Sequence, residues 1–526
     1  MTDQLPPVPI LPKASPSLLA RVAWHPVLFA AYPVLFLWSQ NLGEAGAGDV
    51  LPLAVAAAAV AAGATLILGL LFRDLRRAAL VVTPVVVGLL MYGHLANLLH
   101  PVHVRPILQQ AGWVALVVLG VVAAIRLGES RVARLTWVLD RVAAVLVVVV
   151  LVQIVPSQLA AMTEAHPEAS AAAVPGAPDR PLRDVYYLIL DRYGSDRAMS
   201  LRFGVTNDLT PWLTQQGFTV LADSNANYVK TTMSLASTLN MTHLVDLAAR
   251  MGKDNADHAP IFSMLQNTAV ARQFKALGYT YLHLGSWYSP TQTDTLADRN
   301  LYLGGPSDFA ATLYDTSAVP TLLKRLHLSR GKAIDERAYA VNSYAWQALA
   351  SIRSTAGPKF VFGHILLPHP PYVFNSDGSF VDHESGAKLP ESQRLAAQLA
   401  WTNTKLREWI EGLLALPEPQ RPIIIIQADE GPYPIPYQRN TGTYDWAKAT
   451  TDELLEKYGI LNAWYVPGGV DIGLYSTMSS VNTFPVLFSG YFGLDVPRLE
   501  DRSYTSASKV RPYDLTEITD RLAVSP

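Results

Sequence analysis

The sequence predicts two architectures in one chain: an α-helical transmembrane domain of five spans, followed by an α/β soluble domain with a mostly parallel central sheet. Three observations lead there. Apolar residues make up 50 % of the 526 and crowd into the first third, whereas the charged 16 % concentrate after about residue 180. Beyond that point short β-rich apolar runs alternate with segments of helical period. Between the two regimes lies a stretch of Ala, Pro and small polar residues. The domains expected are therefore 1–155 transmembrane, 156–181 linker and 182–526 soluble.

A hydrocarbon core of ~30 Å needs about 20 mostly apolar residues per helix. Five segments meet this, at 24–40, 50–72, 78–99, 107–125 and 138–155. Arg73, Arg76 and Arg77 lie between the second and third, and Arg126, Arg131 and Arg134 between the fourth and fifth, so both loops are expected on the cytoplasmic side. The loops holding Glu44 and Asp49, or His100, His103 and Arg105, carry fewer Lys and Arg and are expected outside. Five crossings from an inside N-terminus make this a multi-pass protein of the cell membrane with an extracytoplasmic C-terminal domain. Lys13 and Arg21 ahead of an apolar stretch mimic a secretory signal, but further spans follow at once, so the first is expected to be retained.

Residues 156–181, PSQLAAMTEAHPEASAAAVPGAPDRP, hold no sustained apolar period and read as a tether. From Leu182 onward, the runs Val185–Leu190, Tyr279–Leu284, Phe360–Phe362 and Ile423–Ile426 alternate with helical patterns such as Leu395–Leu414. That alternation is the pattern of a parallel sheet flanked by helices. In such sheets ligands bind beyond the carboxyl ends of the strands. Asp191 follows VYYLIL, His364 follows the FVFG run, and Asp429 with Glu430 follow IIIIQA. A lone Asp after a strand is commonly a cap or turn residue. Three strand ends that deliver metal-ligating side chains to one edge point instead to a site.

These segments resemble the alkaline phosphatase superfamily, which includes sulfatases, lipoteichoic acid synthases and phosphoethanolamine transferases. The resemblance covers roughly 183–500 and rests on order and spacing. A strand ends in an acid (VYYLILDRYGS), a hydroxyl nucleophile follows about 40 residues on (NYVKTTMSLASTLN), and a histidine segment (GHILLPHPPY) precedes a late acidic strand end (IIIIQADEGP). Membrane transferases of the superfamily also place about five spans ahead of such a domain, matching the layout read here. The resemblance implies an alkaline phosphatase/sulfatase-like fold. It makes Thr231 the nucleophile, with Ser234 standing where family members place a Ser, and Thr232 the alternative. The family carries its nucleophile at a helix start, where free N–H groups favour a phosphate. Asp191 and Asp429 match its metal ligands, the Thr231 alkoxide joins them, and Glu430 occupies the place of a usual histidine. His369, in PHPPY, matches the histidine that touches the transferred group or the leaving oxygen, as hydrogen-bond donor or general acid, with His364 the competing choice. Lys230 and Arg192 flank the ligands and are candidates to neutralise phosphate oxygens.

With Glu430 in that place the implied ligand set is all oxygen, which suits Mg²⁺, Mn²⁺ or Ca²⁺ better than zinc. One divalent ion is expected, its identity among Mn, Mg, Ca and Zn left open. The activity implied is metal-dependent phospho-group transfer through a covalent threonine. A domain tethered to membrane spans meets lipids, so a membrane lipid or a lipid-linked glycan is the expected substrate. A phosphodiesterase or phosphatase would share every residue named, and a non-catalytic envelope protein with a degenerate metal site is the further alternative, supported by the missing histidine. Sulfatases of the superfamily use a formylglycine made from Cys, or from Ser in a Pro-containing motif. The chain has no Cys and TTMSLAS offers no such motif, so a sulfatase-like hydrolase working by that route is disfavoured. The lack of Cys also excludes disulfides and thiolate metal sites. A net charge of −2 with no long basic run argues against a nucleic-acid partner.

Overall fold

The computed structural model describes residues 22–42, 45–99, 105–163, 176, 178–326, 333–441, 444–508 and 511–523, which divide into two compact units. Glu44, His100 and His103 of the expected outer loops lie outside the described residues, as do 164–175 and 177 of the tether.

The first unit is built on helices α1 (His25–Ser39), α2 (Ala47–Phe72), α3 (Leu75–Leu90), α4 (Tyr92–Leu99), α5 (Pro106–Arg126) and α6 (Glu129–Thr163). Among the described residues three stretches are long and apolar enough to cross a membrane: Ala47–Phe72, Ile107–Arg126 and Glu129–Leu159. The segments at 24–40 and 78–99 take other forms. Helix α1 has 15 residues, about 22 Å at the helical rise. The 78–99 segment is divided at Met91, and the backbone shows why. In an unbroken helix the Gly93 N–H would donate to the Leu89 carbonyl. Instead it donates to the Thr316 carbonyl at 2.7 Å, while the Leu89 carbonyl accepts from the Ala318 N–H at 2.7 Å. Helix α6 continues past Pro156 to Thr163, into the stretch read as a tether. Asp140, inside the apolar run of α6, accepts the Trp24 and His25 N–H groups at 2.8 Å each. It thereby satisfies amides at the start of α1, and a carboxylate within an apolar helix needs such partners.

The second unit holds a seven-stranded sheet: β1 (Val185–Leu190), β2 (Thr219–Val220), β3 (Thr280–Leu284), β4 (Arg299–Leu301), β5 (Lys359–Ile365), β6 (Ile423–Gln427) and β7 (Asn462–Tyr465), in the order β2-β7-β6-β1-β5-β3-β4. Strands β6, β1, β5, β3 and β4 run parallel, and β7 is antiparallel to both β6 and β2. The pattern Leu395–Leu414 lies in the helix Glu391–Leu414.

Period-two alternation sorts the central strands into two cores. Tyr186, Leu188 and Leu190 of β1 pack on one face with Val361, Ile424 and Ile426. Val185, Tyr187 and Ile189 pack on the other with Phe360, Phe362, Ile423 and Ile425. Both faces being covered, β1 and β6 are buried along their whole lengths, which is why they read as unbroken apolar runs rather than alternating ones. Register then positions the chemistry. Ile189 of β1 lies opposite His364 of β5 on one side and Gln427 of β6 on the other. The residues that follow β1 and β6 therefore emerge at the same sheet edge as His364.

Candidate active site

Asp191, His364 and Asp429 offer ligand atoms that all lie within 4.8 Å of one another, and all three are buried. Asp191 Oδ1, His364 Nε2 and Asp429 Oδ2 have no hydrogen-bond partner among the described residues. Buried polar atoms are almost always paired, so three orphans within one buried group fit a cation. The electrostatics agree. Burial, then the neighbouring Asp191 and Glu430 carboxylates, push Asp429 well above the ordinary carboxylate range, with Thr231 and Lys457 opposing. Burial would raise Asp191 too, but in the acid range where it titrates protonated His369, then His364 and Arg192, outweigh burial and hold that group low. Two carboxylates compressed in a dry site are the arrangement a divalent ion relieves.

His364 is prepared for such a role by its far side. Its Nδ1 lies 2.7 Å from Thr291 Oγ1, and that hydroxyl is itself 2.9 Å from Ser286 Oγ. With Nδ1–H donating to Thr291, Nε2 carries the lone pair, and Nε2 stands 3.6 Å from Asp191 Oδ2. A hydrogen bond on one ring nitrogen that leaves the other free to ligate is the usual support for a metal-binding histidine. Sequence reading named His364 among the catalytic candidates and did not name Thr291. The pairing joins positions 73 apart, and no local motif announces it.

Thr231 opens the helix Thr231–Asn240, and Lys230, in extended conformation, is its N-cap. Its side chain is close enough to Asp429 to help keep that carboxylate ionised. Ser234, one turn later, donates its hydroxyl to the Asp429 carbonyl at 2.6 Å, which ties the helix start to the end of β6. Thr231 is partly exposed and Thr232 is buried, so of the two hydroxyls Thr231 is the accessible one.

Glu430 is placed differently. Its Oε1 is 2.8 Å from Lys457 Nζ and 3.1 Å from Arg192 Nε, and it lies outside the three-residue group just described. Burial pulls the Lys457 ammonium down to about 7, against the attraction of Glu430. Lys457 was not singled out in the sequence. The signal that could have found it is physical: a buried glutamate needs a cation beside it.

His369 is partly buried, near enough to Asp191 to bear on its charge, and its ring is 6.0 Å from that of Trp287. Burial, then Arg192, lower it to about 3 although Asp191 opposes. At neutral pH it is an uncharged imidazole, able to donate a hydrogen bond but without a spare proton to give. Lys230 donates through Nζ to the Tyr437 hydroxyl. Arg192 directs its backbone N–H to Asp429 Oδ1 at 3.3 Å.

Gly431 sets the distance between Glu430 and the helix Thr451–Tyr458. Its N–H donates to the Lys457 carbonyl at 2.7 Å, and a Cβ there would stand 2.2 Å from the Glu456 carbonyl oxygen. Gly431→Ala is expected to force that helix away and cost about 1–3 kcal/mol, read as a fall in thermal stability. An unchanged melting temperature would show that the contact yields without strain.

No family model matches the chain, and no curated protein matches it. Solved structures do. The chain is similar to the C-terminal periplasmic domain of EcEptC from Escherichia coli, at 13 % identity over 66 % of this chain and 96 % of that one, with a TM-score of 0.42. It is similar to the integral membrane protein lipooligosaccharide phosphoethanolamine transferase A (EptA) from Neisseria meningitidis, at 13 % identity over 92 % of this chain and 96 % of that one, TM-score 0.38. A protein in the alkaline phosphatase superfamily from Vibrio parahaemolyticus matches at 11 % identity over 66 % of this chain and 79 % of that one, TM-score 0.39. The solved structures similar to this chain thus include phosphoethanolamine transferases and an alkaline phosphatase superfamily member, the superfamily that its motifs resemble.

Proposed function

We propose that this chain is a membrane-anchored, metal-dependent phospho-group transferase that acts on lipid or envelope substrates through a covalent intermediate on Thr231. The observation that carries the reading is the meeting of an accessible threonine at a helix start with a buried Asp-His-Asp group whose inward atoms are unpartnered. Asp191, His364 and Asp429 would hold one divalent cation, with Glu430 outside the ligand set. With a histidine among the ligands the donors are mixed nitrogen and oxygen, and the oxygen-only argument against zinc no longer applies; zinc and manganese both suit such a set. When bound, the cation supplies Lewis acidity, lowering the pKa of a nearby hydroxyl and polarising phosphoryl oxygens.

The chain's own residues account for the rest. Thr231 Oγ gives up its proton and forms a bond to phosphorus as the bond from phosphorus to the donor oxygen breaks, and the departing oxygen takes up one proton, so that protons balance across the step. In the second half an acceptor hydroxyl attacks phosphorus and the Thr231 oxygen leaves. The free N–H groups at the helix start face the phosphoryl oxygens, and Lys230 and Arg192 neutralise them. His369, uncharged, donates a hydrogen bond to the transferred group or the departing oxygen. The two Arg-rich loops and five crossings would set this domain outside the cytoplasm, where lipid head groups are within reach.

The test is a peptide mass spectrum of the full chain purified from its own membranes. A phosphate or phospho-head-group mass is expected on the fragment containing Thr231 and not on Thr231→Ala. Product formed while that fragment stays unmodified would refute the covalent route. Release of the group to water rather than to a hydroxyl acceptor would make the enzyme a phosphodiesterase built from the same residues.

A further inference from the structure

The cationic side of the site is organised around one aromatic ring. Arg192 lies over Tyr433 with its guanidinium carbon 3.5 Å from the ring centroid, Lys457 Nζ is 4.3 Å from that centroid, and Lys230 Nζ is 5.6 Å away. Glu430 Oε1 joins two of these cations, Lys457 at 2.8 Å and Arg192 Nε at 3.1 Å. Glu430 and Lys457 are almost completely inaccessible, with side-chain exposures of 1 % and 0 %, whereas Arg192 keeps 16 %. Of the three charged groups joined through Glu430, Arg192 is thus the most exposed. Its backbone is equally constrained, at φ 59°, the left-handed region, with its N–H on Asp429. Its Nη1 and Nη2 atoms make no hydrogen bond or ion pair among the described residues, and the residue lines a small cleft with Pro368, Pro370, Tyr372 and Tyr433. Pro368 and Pro370 are the neighbours of His369.

We propose that Glu430, Lys457 and Tyr433 form a positioning clamp that fixes the Arg192 guanidinium as the phosphoryl-oxygen contact of the site, so that Glu430 serves substrate binding through Arg192 rather than holding metal. The proposal rests on the phospho-transfer reading above. The physics favours a clamp over a bare ion pair. An arginine has side-chain rotamer entropy to lose on binding an oxyanion. Anchoring Nε to a buried carboxylate and the guanidinium plane to an aromatic face removes that freedom beforehand and leaves the two terminal nitrogens as a fork for phosphoryl oxygens. Lys457 completes the clamp on the far side: its Nζ lies 2.8 Å from Glu430 Oε1 with both side chains almost inaccessible, and a buried carboxylate needs a cation beside it. Charges also close: Asp191, Asp429 and Glu430 balance Arg192, Lys230 and Lys457, and a divalent cation leaves two positive charges for a dianionic phosphoryl group.

The experiment uses the full chain in detergent, measuring metal content after loading with manganese or zinc and, separately, binding of inorganic phosphate. Arg192→Ala is expected to weaken phosphate about tenfold to a hundredfold with metal content unchanged. Lys457→Met alone leaves a buried unpaired glutamate and risks unfolding, so the paired variant Glu430→Gln with Lys457→Met removes both charges at similar volume. That variant is expected to keep one metal per chain and weaken phosphate about fivefold or more, and adding Arg192→Ala should bring the total only to the loss of Arg192→Ala alone, not to the product of the two. Tyr433→Leu should follow the same pattern. Loss of metal in Glu430→Gln, or losses that add independently of Arg192, would overturn the clamp while leaving phospho-transfer standing. A parent chain that binds neither metal nor phosphate would overturn the phospho-transfer reading and the clamp together.

Discussion

Thr231→Ala is expected to lower kcat by a factor of about 10⁴ or more, because the substitution removes the atom proposed to bond to phosphorus. The loss is expected with the fold intact. Thr231 is partly exposed at the first position of its helix, where such changes usually stay within about 0.5 kcal/mol. Ser234 still anchors the helix to the Asp429 carbonyl. Metal content should persist as well, since Asp191, His364 and Asp429 are untouched. Thr231→Ser retains a hydroxyl at the same place and should recover a measurable part of the rate. Steady-state kinetics with a phospholipid donor, alongside thermal unfolding and metal analysis, read all of this. A kcat within tenfold of the parent would remove Thr231 from the chemistry and leave Thr232, buried one position on, as the hydroxyl to test.

Asp429→Asn should act in opposite directions with and without metal. In the metal-free chain Asp429 is raised by burial and by Asp191 and Glu430. A carboxyl whose folded pKa lies above its unfolded value binds more protons folded than unfolded in the window between the two. Stability therefore declines as pH rises through that window and stays reduced above it. Asparagine removes the charge that causes the penalty while its oxygen can still accept the Arg192 N–H. In chelator at neutral pH the variant is thus expected to melt at or above the parent. With metal the order reverses. A ligand at a thousandfold excess over its Kd stabilises the folded form by about 4 kcal/mol, and Asp429→Asn should forfeit nearly all of it. If the variant melts lower in chelator and metal still raises its melting temperature by the parent's increment, Asp429 is neither strained nor a ligand.

Much of this was readable in one dimension because of how parallel sheets bury their strands. VYYLIL and IIIIQ carry apolar side chains on both faces because both faces are covered, so each run shows where a central strand ends and which acid comes next. Asp191 and Asp429 could accordingly be named from their positions, whereas Thr231 was named from the resemblance of its segment, with Ser234 three residues on, to the superfamily's nucleophile.

The rest depended on partners far away in the chain. His364 meets the carboxylates because β5 pairs beside β1 with Ile189 opposite His364, and register is a property of two strands that neither displays alone. Glu430 and Lys457 are 27 positions apart and touch only after the helix Thr451–Tyr458 packs against the end of β6. The break at Met91 likewise comes from the Thr316 and Ala318 backbone taking over hydrogen bonds that hydropathy assigns to an unbroken span. Composition and period determined the two regimes of the chain, the parallel sheet and the edge at which the chemistry sits. Tertiary structure decided which side chains at that edge bring unpartnered ligand atoms together and which are neutralised by one another, because Coulomb and hydrogen-bond energies depend on distances in space that local sequence does not encode.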